Sequence, residues 1–439
     1  MRGLILCTFC LALAPWASFG QTSHWDSMLK TAEKAYGDGR YREAESQFLQ
    51  AEKDAESFGP SDYRLAITLN NLGVLYEREA KYSEAERVFK RALEIWEREA
   101  NPQTADVGTT LNNLAALYTH QSRFAEAEPL YRQCLVLREK MLGPEHPEVA
   151  STLNNLGELY WEQGKLAEAE PLYRRALFIK EKTLGPRDPG LATSLNNLAS
   201  LYSRQGKFAE SESLYKRSLS IRQAALGLEH PDVANSLDNL AALYTLEGRY
   251  SEAEPLYLQA LSTAEKSLGP VHPDLASGLN NLGELYFSER KYTDAEPLFK
   301  RALSIREKAL GPDNPAVAQS LDNLASVLLA EFKQVNVDLL YLRALAITKK
   351  AYGAESTEAL ASLSHLALAY TQEGRFPEAE QTYADELAII AKQPKPDALT
   401  LAAVYLDLAN LYSLEGKRKK ARKMLEKAKA LRDQQESSS

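Results

Sequence analysis

The sequence predicts an all-α solenoid of stacked helical hairpins, and three observations predict it. Leu72, Leu114, Leu156, Leu198, Leu240, Leu282, Leu324, Leu366 and Leu408 recur every 42 residues without an insertion. Within each period the apolar residues keep helical spacing. Glycine and proline punctuate each period at fixed offsets. A strict period of this kind marks an array in which each unit is one supersecondary structure that cannot bury its own apolar face and must stack on its neighbours.

The first helix of a unit is read from Val149, Leu153, Leu156 and Tyr160, which share one helical face. The second follows the break at Gly164 and turns Ala169, Leu172, Tyr173, Ala176 and Leu177 inward. The hairpin ends at Leu184-Gly185-Pro186, where glycine can take a left-handed cap and proline cannot continue a helix. The next first helix starts at His146-Pro147, Asp188-Pro189, His230-Pro231, His272-Pro273 or Asn314-Pro315. In these dipeptides Asp or Asn caps free N–H groups and proline suits the first helical position. The histidines do not suggest a metal site, because equivalent residues lie a whole repeat apart and ligands must sit about 2 Å from one ion. No cofactor is expected.

Residues 1–20 read as a signal peptide cleaved near Gly20: Arg2 gives a basic start, Leu4 to Leu13 is apolar, and small residues precede Gln21. The expected destination is secreted or periplasmic. No later segment approaches the run of about 20 apolar residues that a membrane span needs. Cleavage would leave Cys134 as the one thiol. Its equivalents in other repeats are Ala92, Ala176, Ser218 and Ala260, so it reads as a small packing residue.

With 44% hydrophobic and 26% charged residues the chain should fold. Its net charge of −8 argues against nucleic acid along the solenoid. Between Lys417 and Arg432 the balance reverses, with nine basic residues to one acidic, Glu426. That end is read as a capping helix with a polar tail over 417–439, since a terminal repeat needs a polar outer face. The other reading is contact with an anionic surface.

Leu72-Gly73, Tyr76, Ala85, Phe89 and Ala92 fit the tetratricopeptide pattern, although Leu69 replaces its early Trp and the closing Pro is missing. Unit 153–189, LNNLGELYWEQGKLAEAEPLYRRALFIKEKTLGPRDP, resembles the repeats of kinesin light chains and their bacterial relatives, here as an exported member. The resemblance implies a right-handed superhelical solenoid. It covers 61–435 in nine repeats, with 21–60 as a divergent helix pair before them. A role with a kinesin motor does not carry over, because the heptad coiled coil of kinesin light chains is missing. The copy around Gln334-Val335-Asn336-Val337 lacks the Gly turn, the Tyr and the EAEP segment, which predicts a soft spot there.

The resemblance further implies that first helices line a peptide-binding groove. At about 100° per residue from Leu156, a stripe of Ser151, Asn154, Glu158 and Trp161 lies opposite the buried leucine, with Asn155 on its flank. It recurs as Ser277, Asn280, Glu284 and Phe287, and Trp161 and Phe287 are expected to be exposed anchors. The paired asparagines are Asn70 and Asn71, Asn112 and Asn113, Asn154 and Asn155, Asn196 and Asn197, and Asn280 and Asn281. In two copies Asp238 and Asp322 precede Asn239 and Asn323. Such a ladder can pair with a peptide backbone or bridge adjacent repeats.

No phosphate loop, nucleophile elbow or His-Glu-x-x-His motif is present. The Glu residues of EAEP segments are expected on solvated faces. A non-catalytic scaffold for protein or peptide partners is therefore expected. The alternative is a structural solenoid that self-associates or anchors through its basic end.

Overall fold

The structure is a computed structural model that describes residues 24–98, 105–331, 337–392 and 397–436. The proposed signal peptide, with Cys7 and Cys10, and the stretch Gln334-Val335-Asn336 lie outside the described residues.

The described residues form twenty α-helices in chain order. They are α1 (His24–Gly37), α2 (Tyr41–Glu56), α3 (Tyr63–Arg78), α4 (Tyr82–Arg98), α5 (Ala105–His120), α6 (Phe124–Leu142), α7 (Pro147–Glu162), α8 (Leu166–Leu184), α9 (Ala192–Arg204) and α10 (Phe208–Leu226). Then come α11 (Pro231–Leu246), α12 (Tyr250–Leu268), α13 (Leu275–Ser288), α14 (Tyr292–Leu310), α15 (Pro315–Ala330), α16 (Val337–Tyr352), α17 (Thr357–Gln372), α18 (Phe376–Lys392), α19 (Ala398–Leu414) and α20 (Arg418–Glu436). A short 3-10 turn, Pro189–Leu191, leads into α9.

The chain divides into two compact units, Met1–Leu285 with Lys308–Leu310 and Tyr286–Glu307 with Gly311–Ser439. In the first unit the hairpins α3/α4, α7/α8 and α11/α12 pack tightly, and in the second α15/α16 and α19/α20 do. The periodic leucines hold each unit together: Leu72, Leu114, Leu156, Leu198 and Leu240 are at most 4% exposed. Burying a leucine fully is worth about 1.5–3 kcal/mol.

Caps set the helix boundaries. His146, His230 and His272 each accept the N–H two residues on through Nδ1, at 3.2, 3.1 and 3.3 Å. Asn314 does the same for Ala316 at 2.9 Å. The histidines thus take the capping role that the sequence offered to Asp and Asn, and satisfy a donor that a helix start otherwise leaves open.

The described turns inside the hairpins close with a pair of bonds, as in Gly164 N–H to the Trp161 carbonyl at 3.0 Å and Lys165 N–H to the Tyr160 carbonyl at 2.8 Å. This Schellman arrangement needs a left-handed residue, Gly164 at φ 73°. Where the period brings another residue to that place, Ala80, Ser122 and Arg290 are held at φ 58°, 58° and 62°. A side chain there costs about 1–2 kcal/mol, and the greater unfolded-state freedom of glycine offsets about 0.5–1. Arg290→Gly is therefore expected to stabilise the protein by about 0.5–1 kcal/mol, read as a higher urea midpoint. A midpoint that falls would mean the Arg290 side chain holds more than the turn.

Candidate functional site

Successive first helices touch one another within each unit, α3 with α5, α5 with α7 and α7 with α9 in the first, and α15 with α17 and α17 with α19 in the second. The asparagines lie along this contact. Asn113 Nδ2 donates to Asn70 Oδ1 at 3.0 Å, and Asn155 Nδ2 to Asn112 Oδ1 at 3.1 Å. Asn154 Nδ2 donates to Ser194 Oγ at 2.8 Å, and Asn71 Nδ2 reaches Glu33 Oε1 at 3.3 Å. From Asn70 to Asn155 these side chains are at most 1% exposed, and Asn197 is 3% exposed. The ladder in these repeats bridges neighbours, because an amide carries both a donor and an acceptor and so satisfies the next amide along a stack. Asn196 and Asn280 are also buried, whereas Asn239, Asn281 and Asn323 are half-buried.

The expectation that Trp161 is an exposed aromatic anchor is corrected. Trp161 is only 6% exposed. The Arg204 guanidinium lies 4.5 Å from the centre of its ring and donates to its carbonyl oxygen at 2.9 Å. Glu158 beside it is 3% exposed. The aromatic covers the edge of the next repeat, a contact that helical spacing within one repeat cannot reveal. Phe287 is half-buried and tilts against Tyr292, ring centres 5.4 Å apart, and Glu284 is half-buried too.

The EAEP glutamates need a further correction. The first, such as Glu126, is about half exposed, but the second joins consecutive repeats. Glu128 accepts from Tyr160 at 2.8 Å, and Glu212 from Tyr244 at 2.9 Å. Arg249 also holds Glu212 at 2.8 Å. The guanidinium of Arg249, with Lys216 and Tyr244, brings the Glu212 carboxyl down to about 2. The signal was the joint recurrence of this Glu with the following Tyr and Lys or Arg.

Buried arginines behind the first helices went unread in the sequence. Arg138, 1% exposed, donates to Thr152 Oγ1 at 2.8 Å, to the Glu148 carbonyl at 3.1 Å and to Thr109 Oγ1 at 3.3 Å. Its guanidinium also pairs with the Glu148 carboxylate at 2.8 Å. Arg222 repeats this with Ser236 and the Asp232 carbonyl, at 2.9 and 3.0 Å. In the second unit Arg306 does so with Ser320 and the Ala316 carbonyl, at 2.9 and 2.8 Å. Cys134 sits in the same layer, its thiol 3.1 Å from the Gly108 carbonyl, and burial raises its pKa, which suits a packing residue.

The first unit also returns on itself. Arg78 donates to Tyr41 at 3.1 Å and pairs with Asp274, at the start of α13. Gly39 lies against His272 and Pro273, where a Cβ would come within 3.0 Å of the proline ring.

Burial raises the pKa of several inner carboxyls, among them Glu33, Asp106 and Asp407, and two more carry values near neutrality. Burial pushes Asp238 up to about 7, against a hydrogen bond from Asn281. In the second unit burial likewise pushes Glu386 up to about 7, against the bond from Ser364. A carboxyl with a raised folded pKa binds its proton more tightly in the native state. Stability should therefore fall as pH rises from about 4 to about 7. Asp238→Asn, which restores the residue of the neighbouring repeats, is expected to flatten part of that slope and raise the urea midpoint above pH 7. An unchanged pH profile would remove Asp238 as its source.

Among the described residues no three His, Cys, Asp or Glu side chains gather as metal ligands would, and no helix is long and apolar enough to cross a membrane. The sequence profile of a family described as "Tetratricopeptide repeat" matches residues 32–98, 106–182, 190–266, 274–335 and 358–434. A solved putative kinesin light chain of Podosopora anserina, with nearly identical TPR-like repeats, is 28% identical to this chain. It covers 46% of this chain and 96% of its own length at a TM-score of 0.42. A signal transduction ATPase with a tetratricopeptide repeat sensor from Pyrococcus horikoshii is 14% identical, covering 79% of this chain and 52% of its own at a TM-score of 0.52. The apo form of RapI is 13% identical, covering 85% and 99% at 0.51. The latter two likenesses show the fold. No curated protein sequence matches the chain. Matched by the repeat profile over most of its length and built of helical hairpins, the chain belongs to the tetratricopeptide repeat family.

Proposed function

We propose that the chain is a non-catalytic scaffold that holds peptide segments of partner proteins against the first helices. The observation that carries this reading is a stack of rigid first helices whose inner polar side chains are fixed by the neighbouring repeat. A surface already ordered loses little entropy on binding. In the first unit Asn239, Asn281 and Glu284 are the members left half-exposed and able to meet a peptide. In the second unit Phe287 and Asn323 have the same standing. We also assign the chain to an exported compartment, from the basic, apolar and small-residue order of its first twenty residues. N-terminal sequencing that finds Met1 retained would overturn that assignment.

A random peptide display library panned against the full chain tests the scaffold reading. It is expected to return a consensus sequence that binds at least tenfold more weakly to Asn281→Ala and Glu284→Ala at unchanged Tm. Failure to recover any consensus, or equal binding by both variants, would reject it.

A further inference from the structure

Three repeats carry the buried arginine, and the other copies of that position hold Trp96, Lys180, Ala264, Thr348 and Ile390, of which Ala264 is the smallest. In step with Arg138, Arg222 and Arg306, the period places Ala264. In step with Thr152, Ser236 and Ser320, it places Gly278, although every other repeat from Thr68 to Ser362 carries Ser or Thr there. The same repeat has Asp238 where its neighbours have Asn196 and Asn280. The three residues meet in space. Ala264, Gly278 and Asp238 line one cavity of about 30 Å³ between α11, α12 and α13, room for about two waters. That is the scale of a guanidinium head.

The surroundings match those that hold the arginines elsewhere. Thr109 and Glu148, which bind Arg138, correspond by period to Asn235 and Asp274, and both line this cavity. Asp238 Oδ1 is buried and has no hydrogen-bond partner. Its Oδ2 lies 3.4 Å from the place a Gly278 Cβ would take, so the carboxylate faces the spot where other repeats put a hydroxyl. Asn281 also bonds this carboxyl, yet Oδ1 keeps no donor; a buried acceptor without one is costly, and a guanidinium offers donors of matching geometry. The Asp274 carboxylate already pairs with Arg78, which leaves Asp238 as the acid facing the cavity. Asn235 at the rim is exposed, and the Asp274 side chain is 52% exposed.

We infer that this cavity is a binding site for a guanidinium group supplied from outside the chain, which takes the place the protein fills with its own arginine in three other repeats. The group is either an arginine of a polypeptide or a free guanidino compound. Asn281, named above for peptide contact, hydrogen-bonds Asp238, but the cavity and its lining do not depend on the peptide reading.

Calorimetric titration of the full chain with Nα-acetyl-arginine amide, and with the neutral citrulline counterpart, tests the inference. The arginine compound is expected to bind saturably in the millimolar range or tighter, and the citrulline compound at least tenfold more weakly. Asp238→Asn should lose at least tenfold in affinity while remaining folded. Ala264→Arg with Gly278→Ser rebuilds the internal arginine, and should abolish binding and raise Tm. A capped Gly-Arg-Gly peptide that binds at least tenfold tighter than free arginine points to a polypeptide source, and the reverse order to a small guanidino compound. Equal or absent binding of the arginine and citrulline compounds would overturn the inference. So would a double variant that folds and still binds as the parent does.

Discussion

Trp161→Ala is expected to destabilise the first unit by about 3–5 kcal/mol, the usual cost of deleting a buried tryptophan. The ring is 6% exposed and lies beneath the Arg204 guanidinium. The substitution removes apolar burial, a cation–π contact and part of the seam between α7 and α9 together. In a repeat array the loss is felt first at the nearest interface. Hydrogen exchange should therefore speed up in α7 and α9 before α3, alongside a lower urea midpoint. A variant with native exchange and midpoint would return Trp161 to the role of a solvent-facing anchor. Weakened partner binding by Trp161→Ala is meaningful only when corrected for the folded fraction.

Arg138→Ala carries the second large effect, a loss of about 3 kcal/mol. Hydrogen bonds to a charged group are worth about 1.5–3 kcal/mol net, and breaking a buried ion pair from one side costs about 3–5. The low end applies because the Glu148 side chain is 42% exposed and can return to water. Two threonine hydroxyls and a carbonyl lose their donor. Arg138→Met, which keeps the stem and deletes the charge, should fall between the parent and the alanine variant, since the aliphatic stem packs on its own account. A loss below about 1 kcal/mol in a urea titration of Arg138→Ala would show that this arginine layer does not hold the repeats together.

Much of the architecture was legible in residue order. The leucines from Leu72 to Leu408 mark the inner faces, and the dipeptides from His146-Pro147 to Asn314-Pro315 mark the helix starts. Both signals are local, because capping and amphipathic spacing act within a few residues of chain. The left-handed turn was visible at Gly164 and hidden at Arg290, where the period alone announces it.

The candidate surface was less legible. A helical wheel drawn on Leu156 places Asn154, Glu158 and Trp161 on a side opposite the core, which is true of one hairpin alone. Stacking covers that side, so Asn154 meets Ser194 and Trp161 meets Arg204, each partner one repeat on. The layer of Arg138, Arg222 and Arg306 was hidden for the same reason, since a lone arginine in a helix reads as solvated until its hydroxyl partners on the next helix are known.

The sequence by itself determined the repeat, its helical hairpins and their boundaries, because period, capping and amphipathic spacing are properties of neighbouring residues. Only the tertiary structure decided which polar side chains are buried between repeats and which stay half-exposed. Burial depends on what the adjacent repeat lays over a face, and no spacing within one repeat contains that information.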